Sequence, residues 1–256
     1  MKRIFQPLVA VFLTAMALCL LAGAASGALG AGVPTVVAST SWVAAIVEAA
    51  GAPRVAVLAP VDLRHPPEYD FQPGDIKQAL EADYLFWAGY EPFVRKLQKA
   101  AAIPDSRLIQ VVTDNVPETL KEQARKVAAV LGTEAREEQW EKALDAAAAD
   151  ILAQAKAKGL AGRRAVVHKF LVRYAEWLGL RVVGTFGGGE ELTPAKLAEL
   201  LQRRPELVVD NWHNSQGASI AVEAGIPHAL LINFPGKDGT RTLIDVLQYN
   251  ARQLGL

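Results

Sequence analysis

Cysteine is almost missing from this chain of 256 residues: Cys19 is the only one, and it lies in the first 32 residues. Everything after it is free of thiols, which excludes disulfide frameworks, thiolate metal sites and cysteine nucleophiles from the body of the protein. An excess of one charge is also absent. Lys plus Arg number 27 and Asp plus Glu number 27. A nucleic-acid partner calls for a basic surplus, so none is expected. No HExxH, GxSxG or P-loop pattern occurs, and the run Gly187 to Gly189 lacks the GxGxxG spacing, so the usual hydrolase and nucleotide-binding signatures are missing. Short-period repeats are absent too.

What is present begins with an export signature. MKRIFQPLVAVFLTAMALCLLAGAASGALGAG opens with Lys2 and Arg3, continues with an apolar run from Leu8 to Leu21 and ends in small residues. This is the plan of a secretory signal peptide, expected over 1–30. The run, about 14 residues, is short of the roughly 20 that a spanning helix needs. Ala22-Gly23-Ala24 and Ser26-Gly27-Ala28 are candidate cleavage sites. Leu18 precedes Cys19 where a lipoprotein would carry a small residue, so a freely diffusing periplasmic protein is expected rather than a lipid-anchored one.

Beyond the signal, short apolar runs alternate with amphipathic segments. PTVVA, RVAVLA, YLFWA and RLIQVV read as strands, and SWVAAIVEAAG, QPGDIKQALEAD and YEPFVRKLQKAA read as the helices between them. Ser41 is the expected cap of the first helix. From Pro117 to Lys158 the pattern turns wholly helical, with a break expected near Gly132-Thr133. Strands then return: RRAVVH, RVVGTF, PELVVDN and HALLINF alternate with helices, one of them capped by Thr193 with Pro194 in its first turn. This alternation predicts an α/β fold of two lobes with mostly parallel sheets. The lobes are expected at 33–116 and 159–256, joined by connecting helices at 117–158, with a ligand cleft between them.

Ligands of open α/β sheets bind beyond the carboxyl ends of the strands. Three of the four histidines, His65, His168 and His213, fall at or just past such ends. Carboxylates stand near them: Asp70, Asp210 and Asp238. Neutral imidazoles with a carboxylate are a usual zinc shell, so His65, His168, His213, Asp210 and Asp238 are the expected metal-site residues. His228 precedes its strand and reads as a structural or surface residue. Two other readings use neighbouring residues. Trp42, Trp87, Tyr90 and Trp212, with Arg64 and Lys169, could line a cleft for an anionic or aromatic ligand instead. A zinc-dependent hydrolase would use Glu68 or Asp70 as base. The closed shell expected here favours binding over catalysis, because a catalytic zinc keeps a position open for water.

The stretch from Val36 to Leu97, with HPPEYDFQPGDI at its centre, resembles the amino-terminal lobe of the periplasmic metal-binding proteins of zinc and manganese ABC importers. Tyr69, Pro73, Asp75 and Ile76 match the loop D-P-H-x-Y-E-P-x-P-x-D-I of that family. RRAVVHKFLVRYAEWLGLRVVG resembles its carboxyl lobe, and GTRTLIDVLQYN its last helix. The resemblance implies a non-enzymatic, monomeric solute-binding protein that carries a divalent metal to an ABC permease. Zinc is favoured over Mn2+, because three imidazoles suit zinc. His168 matches one family ligand directly. Pro67 stands where the family has a histidine, with His65 two residues earlier. T-D-N-V-P replaces the motif that carries a second histidine, and Asn233 stands where an aspartate is usual. His213 is then the expected replacement for the missing imidazole.

Overall fold

A computed structural model describes residues 34–61, 63 and 65–256. The expected signal segment, with Cys19, and Arg64 lie outside the described residues. The first sheet holds β1 (Val36–Ala38), β2 (Val55–Val57), β3 (Tyr84–Trp87) and β4 (Leu108–Gln110), in the order β2-β1-β3-β4. The second holds β5 (Arg164–His168), β6 (Arg181–Phe186), β7 (Leu207–Asn211) and β8 (His228–Leu231), in the order β6-β5-β7-β8. All pairings are parallel, with Val37 level with both Ala56 and Leu85, and Val167 level with Thr185 and Val209. Each sheet therefore reverses its winding between its first and third strands. That switch point is where a crevice opens in such sheets.

Helices follow the strands as the periodicity predicts: α1 (Ser41–Ala49), α2 (Pro73–Glu81) and α3 (Pro92–Ala100) in the first half, and α6 (Val172–Trp177), α7 (Pro194–Gln202), α8 (Ala218–Ala224) and α9 (Leu243–Gln253) in the second. Between them run α4 (Pro117–Leu131) and the 24-residue α5 (Glu134–Ala157). The break falls where glycine allows it. Gly132 caps α4 at φ +67°, a left-handed conformation that costs glycine little. Thr133 then turns the chain, and its hydroxyl donates to the carbonyl of Ala50 at 2.6 Å.

The cap of α1 differs by one residue from expectation. Thr40, not Ser41, accepts the N–H of Val43. Ser41 sits inside the first turn and donates its hydroxyl to Pro235 O at 3.0 Å. Thr193 caps α7 as expected, accepting from Lys196 N. The segment after His168 is shorter than a full helix: a 3-10 turn over Lys169–Leu171 leads into α6.

One core joins the two sheets. Val36, Ala38, Val43 and Ile46 from the first half pack in the same buried cluster as Leu120, Val127, Leu144 and Ile151 of the connecting helices. Ala165, Val167, Val209 and Leu247 of the second half belong to it as well. At roughly 1.5–3 kcal/mol for each fully buried large aliphatic side chain, this shared core holds the two halves together more strongly than any surface contact. Among the described residues no helix is long and apolar enough to cross a membrane.

Candidate ligand cleft and its lining

A cavity of about 610 Å3 opens between the strand ends of the two halves. From the first half it is lined by Thr40 and Trp42 after β1, His65 and Pro66 after β2, Tyr90 after β3, and Thr113 and Asp114 after β4. From the second half come Lys169, Phe170 and Arg173 after β5, Asn211, His213 and Asn214 after β7, and Asn233 and Phe234 after β8. The carboxyl-end rule thus locates the site in both sheets.

The wall is mostly aromatic and apolar. His213, buried, stacks on Phe234 with ring centroids 3.6 Å apart and planes 22° from parallel. Trp42 meets Phe234 at 6.0 Å. Phe170 and Tyr90 are exposed. Charge enters through Lys169 and Arg173, spaced i and i+4, and through Asp114. Arg173 forms an ion pair with Asp114 and donates to the hydroxyl of Thr119 at 3.1 Å. Lys169 pairs with Glu190 at 2.5 Å.

The sequence-predicted ligands divide. His65 and His213 both line the cavity. His168 does not. Its ring is fully buried between Phe170 and Phe186, at centroid distances of 5.1 and 5.7 Å. Its Nδ1 accepts from Phe170 N at 3.3 Å, and its Nε2 has no hydrogen-bond partner among the described residues. Gly187 at φ +74° lies against Nε2, so close that a Cβ there would come within 2.3 Å. Burial drives the imidazole pKa below its ordinary value. Lys169 adds to that, and Asp210 opposes it.

Asp210 is occupied elsewhere. Its carboxylate accepts from the N–H groups of Asn211 (2.8 Å) and Gly217 (2.7 Å) and from the hydroxyl of Ser215 (2.7 Å). His228 Nε2 lies 3.1 Å from it. A buried carboxylate so fully satisfied holds the β7 loop in shape and has little left to offer an ion. His228 is then structural, as expected. Asp238 pairs with Lys237 at 3.0 Å and is absent from the cavity wall. Among the described residues, no three His, Asp or Glu side chains come close enough to hold one metal ion. The five expected ligands therefore do not form a single cluster in this structure.

Asp114, Arg173, Phe170 and Phe234 were not singled out from the sequence. Asp114 was within reach of the rule already applied, since it follows β4. Arg173 carried a spacing signal, one helical turn beyond Lys169.

No family model matches this sequence, and no curated protein matches it. Solved structures do. The chain has a two-lobed α/β fold, and that fold is shared with the following proteins. The laminin-binding protein Lmb of Streptococcus agalactiae, described as an adhesin with metal-transporting activity, matches with a TM-score of 0.67 at 16% identity, over 86% of this chain and 98% of that one. The solute-binding protein FpvC of Pseudomonas aeruginosa, solved with Mn2+, matches with 0.67 at 17% identity, over 86% and 97%. The periplasmic metal-binding protein of Candidatus Liberibacter asiaticus matches with 0.64 at 16% identity, over the same shares.

Proposed function

We propose that this protein is a periplasmic solute-binding protein, acting as a monomer, that captures a divalent metal ion in its cleft and passes it to an ABC permease of the inner membrane. The observation that carries the reading is that His65, after β2, and His213, after β7, line one cavity built from both halves of a fold shared with metal-binding proteins. Two imidazoles from opposite sheets let an ion bridge the halves. Among the described residues Asp114 is the one carboxylate on the wall, and it would reach an ion by giving up its pair with Arg173. Imidazole donors favour zinc, whereas manganese prefers oxygen, so zinc is the ion proposed first. The lining offers binding groups rather than catalytic ones: among the described residues it presents no nucleophile paired with a base. His168, which the family resemblance would make a ligand, is assigned to the support of the wall, because it packs behind Phe170.

Calorimetric titration of the metal-stripped protein with zinc and with manganese tests this. The expected result is one zinc per chain, with affinity falling at least tenfold in His65→Ala and in His213→Ala. His168→Ala should lower stability more than affinity. Absence of zinc and manganese binding at neutral pH would defeat the proposal. So would wild-type affinity in both cavity-histidine variants. Binding should weaken as pH drops through the imidazole range, because a protonated histidine cannot ligate.

A further inference from the structure

The cleft is far larger than an ion needs. Liquid water occupies about 30 Å3 per molecule, so 610 Å3 is room for on the order of twenty waters. Cavities of about 300–1,000 Å3 with aromatic walls and a few polar groups are the usual size for organic ligands. The donor count points the same way. A protein shell for zinc supplies three or four ligands. On this wall the described residues offer two imidazoles and one carboxylate already paired with Arg173.

The remaining features suit a flat organic acid. Phe170 is 61% exposed and Tyr90 52% exposed, a large outlay of aromatic surface in a single cleft. Trp42 and Phe234 add two more rings to the wall. Rings of this kind pack best on planar partners. The two cations on the wall among the described residues, Lys169 and Arg173, are held by Glu190 and Asp114, pairs that an incoming carboxylate can exchange with, and guanidinium geometry matches a carboxylate. The polar lining is also under-satisfied. The indole Nε1 of Trp42 and the amide Oδ1 of Asn233 are buried without a hydrogen-bond partner among the described residues. Such groups cost free energy until a partner arrives.

We propose that the metal enters this cleft as a chelate with a small planar organic carboxylate, which supplies most of the coordination shell while His65 and His213 complete it. This rests on the metal-binding reading and narrows it. Aromatic walls would hold the chelator's plane, and Lys169 with Arg173 would hold its carboxylates. A bare ion would use neither.

Pyridine-2,6-dicarboxylate is a suitable probe, because it binds zinc through one nitrogen and two oxygens and leaves coordination positions open. The metal-stripped protein is titrated with zinc alone, with the dicarboxylate alone and with their one-to-one complex. The expected result is binding of the complex at least tenfold tighter than of either component. Phe170→Ala, at an exposed position, should weaken the complex about tenfold and zinc alone by a clearly smaller factor. Arg173→Met should also weaken the complex about tenfold, while zinc alone binds no more weakly than to the wild type, because Asp114 is released from its ion pair. Zinc alone binding as tightly as the complex, with Phe170→Ala indifferent to both, would overturn the chelate and leave the metal reading standing. Binding of the dicarboxylate with zinc making no difference would overturn both. Absence of heat with all three, in protein shown to be folded by circular dichroism, would also overturn the chelate.

Discussion

His168 and Gly187 are a matched pair. The imidazole fills the space a side chain at 187 would need, and glycine alone takes φ +74° there without cost. Gly187→Ala should destabilise the protein by about 1–3 kcal/mol, read as a lower urea midpoint at unchanged slope. The same burial gives a pH dependence. The folded imidazole titrates below the ordinary 6.5, chiefly because burial disfavours its charged form. As pH falls, the unfolded chain binds that proton first. The stability His168 contributes is therefore complete above pH 6.5 and is lost as pH falls from there toward the folded value. Metal-free protein unfolded in urea between pH 7.5 and 5 should show this decline, and His168→Asn should flatten it. Asp210→Ala, by contrast, strands the N–H groups of Asn211 and Gly217 and the hydroxyl of Ser215. It should cost about 3 kcal/mol or more, a structural effect that a thermal melt of metal-free protein would separate from any loss of binding.

Helix α5 reads in sequence as an Ala-rich, charged rod with a weak stripe. Its buried positions Leu144, Ala148, Ile151 and Ala155 recur at helical spacing, and Leu144, Ile151 and Ala155 belong to the core shared by both sheets. Leu144 is fully buried. Leu144→Ala should remove about 2–5 kcal/mol, measured by denaturant unfolding, with both halves of the protein unfolding together because the core is common to them. Separate transitions for the two halves would contradict that. The loop after β2 is held by α2: Gln72 and Asp75 form a capping box, and Tyr69 donates to the same Asp75 carboxylate at 2.8 Å. That anchor was legible in the motif, since Tyr69, Pro73 and Asp75 stood out in the sequence.

At the scale of the molecule, polar ties support the shared core. Asn115 Nδ2 donates to Asn233 O at 2.8 Å, and Ser41 Oγ donates to Pro235 O, each bond joining the first half to the loop after β8. A ligand that binds only the folded protein adds RT ln(1 + [L]/Kd), about 2.7 kcal/mol at a hundredfold excess over Kd. For a chain of this size that is a rise in Tm of roughly 5–10 °C. Zinc at that excess should produce it in scanning calorimetry of the wild type, and His213→Ala should abolish most of it.

Alternation of short apolar runs with amphipathic segments was enough to specify the parallel sheets, the break at Gly132 and the strand ends where ligand groups gather, because these depend on periodicity and on backbone freedom, which are local. The sequence also placed His65 and His213 at such ends. It could not tell that His168 would turn behind Phe170 or that Asp210 would be taken up by its own loop and His228. Nor could it show that Asp114, Arg173, Phe170 and Phe234 would meet them across the cleft. Side chains at strand ends are equivalent in sequence, and which of them faces the cavity is decided by the packing of residues far apart in the chain.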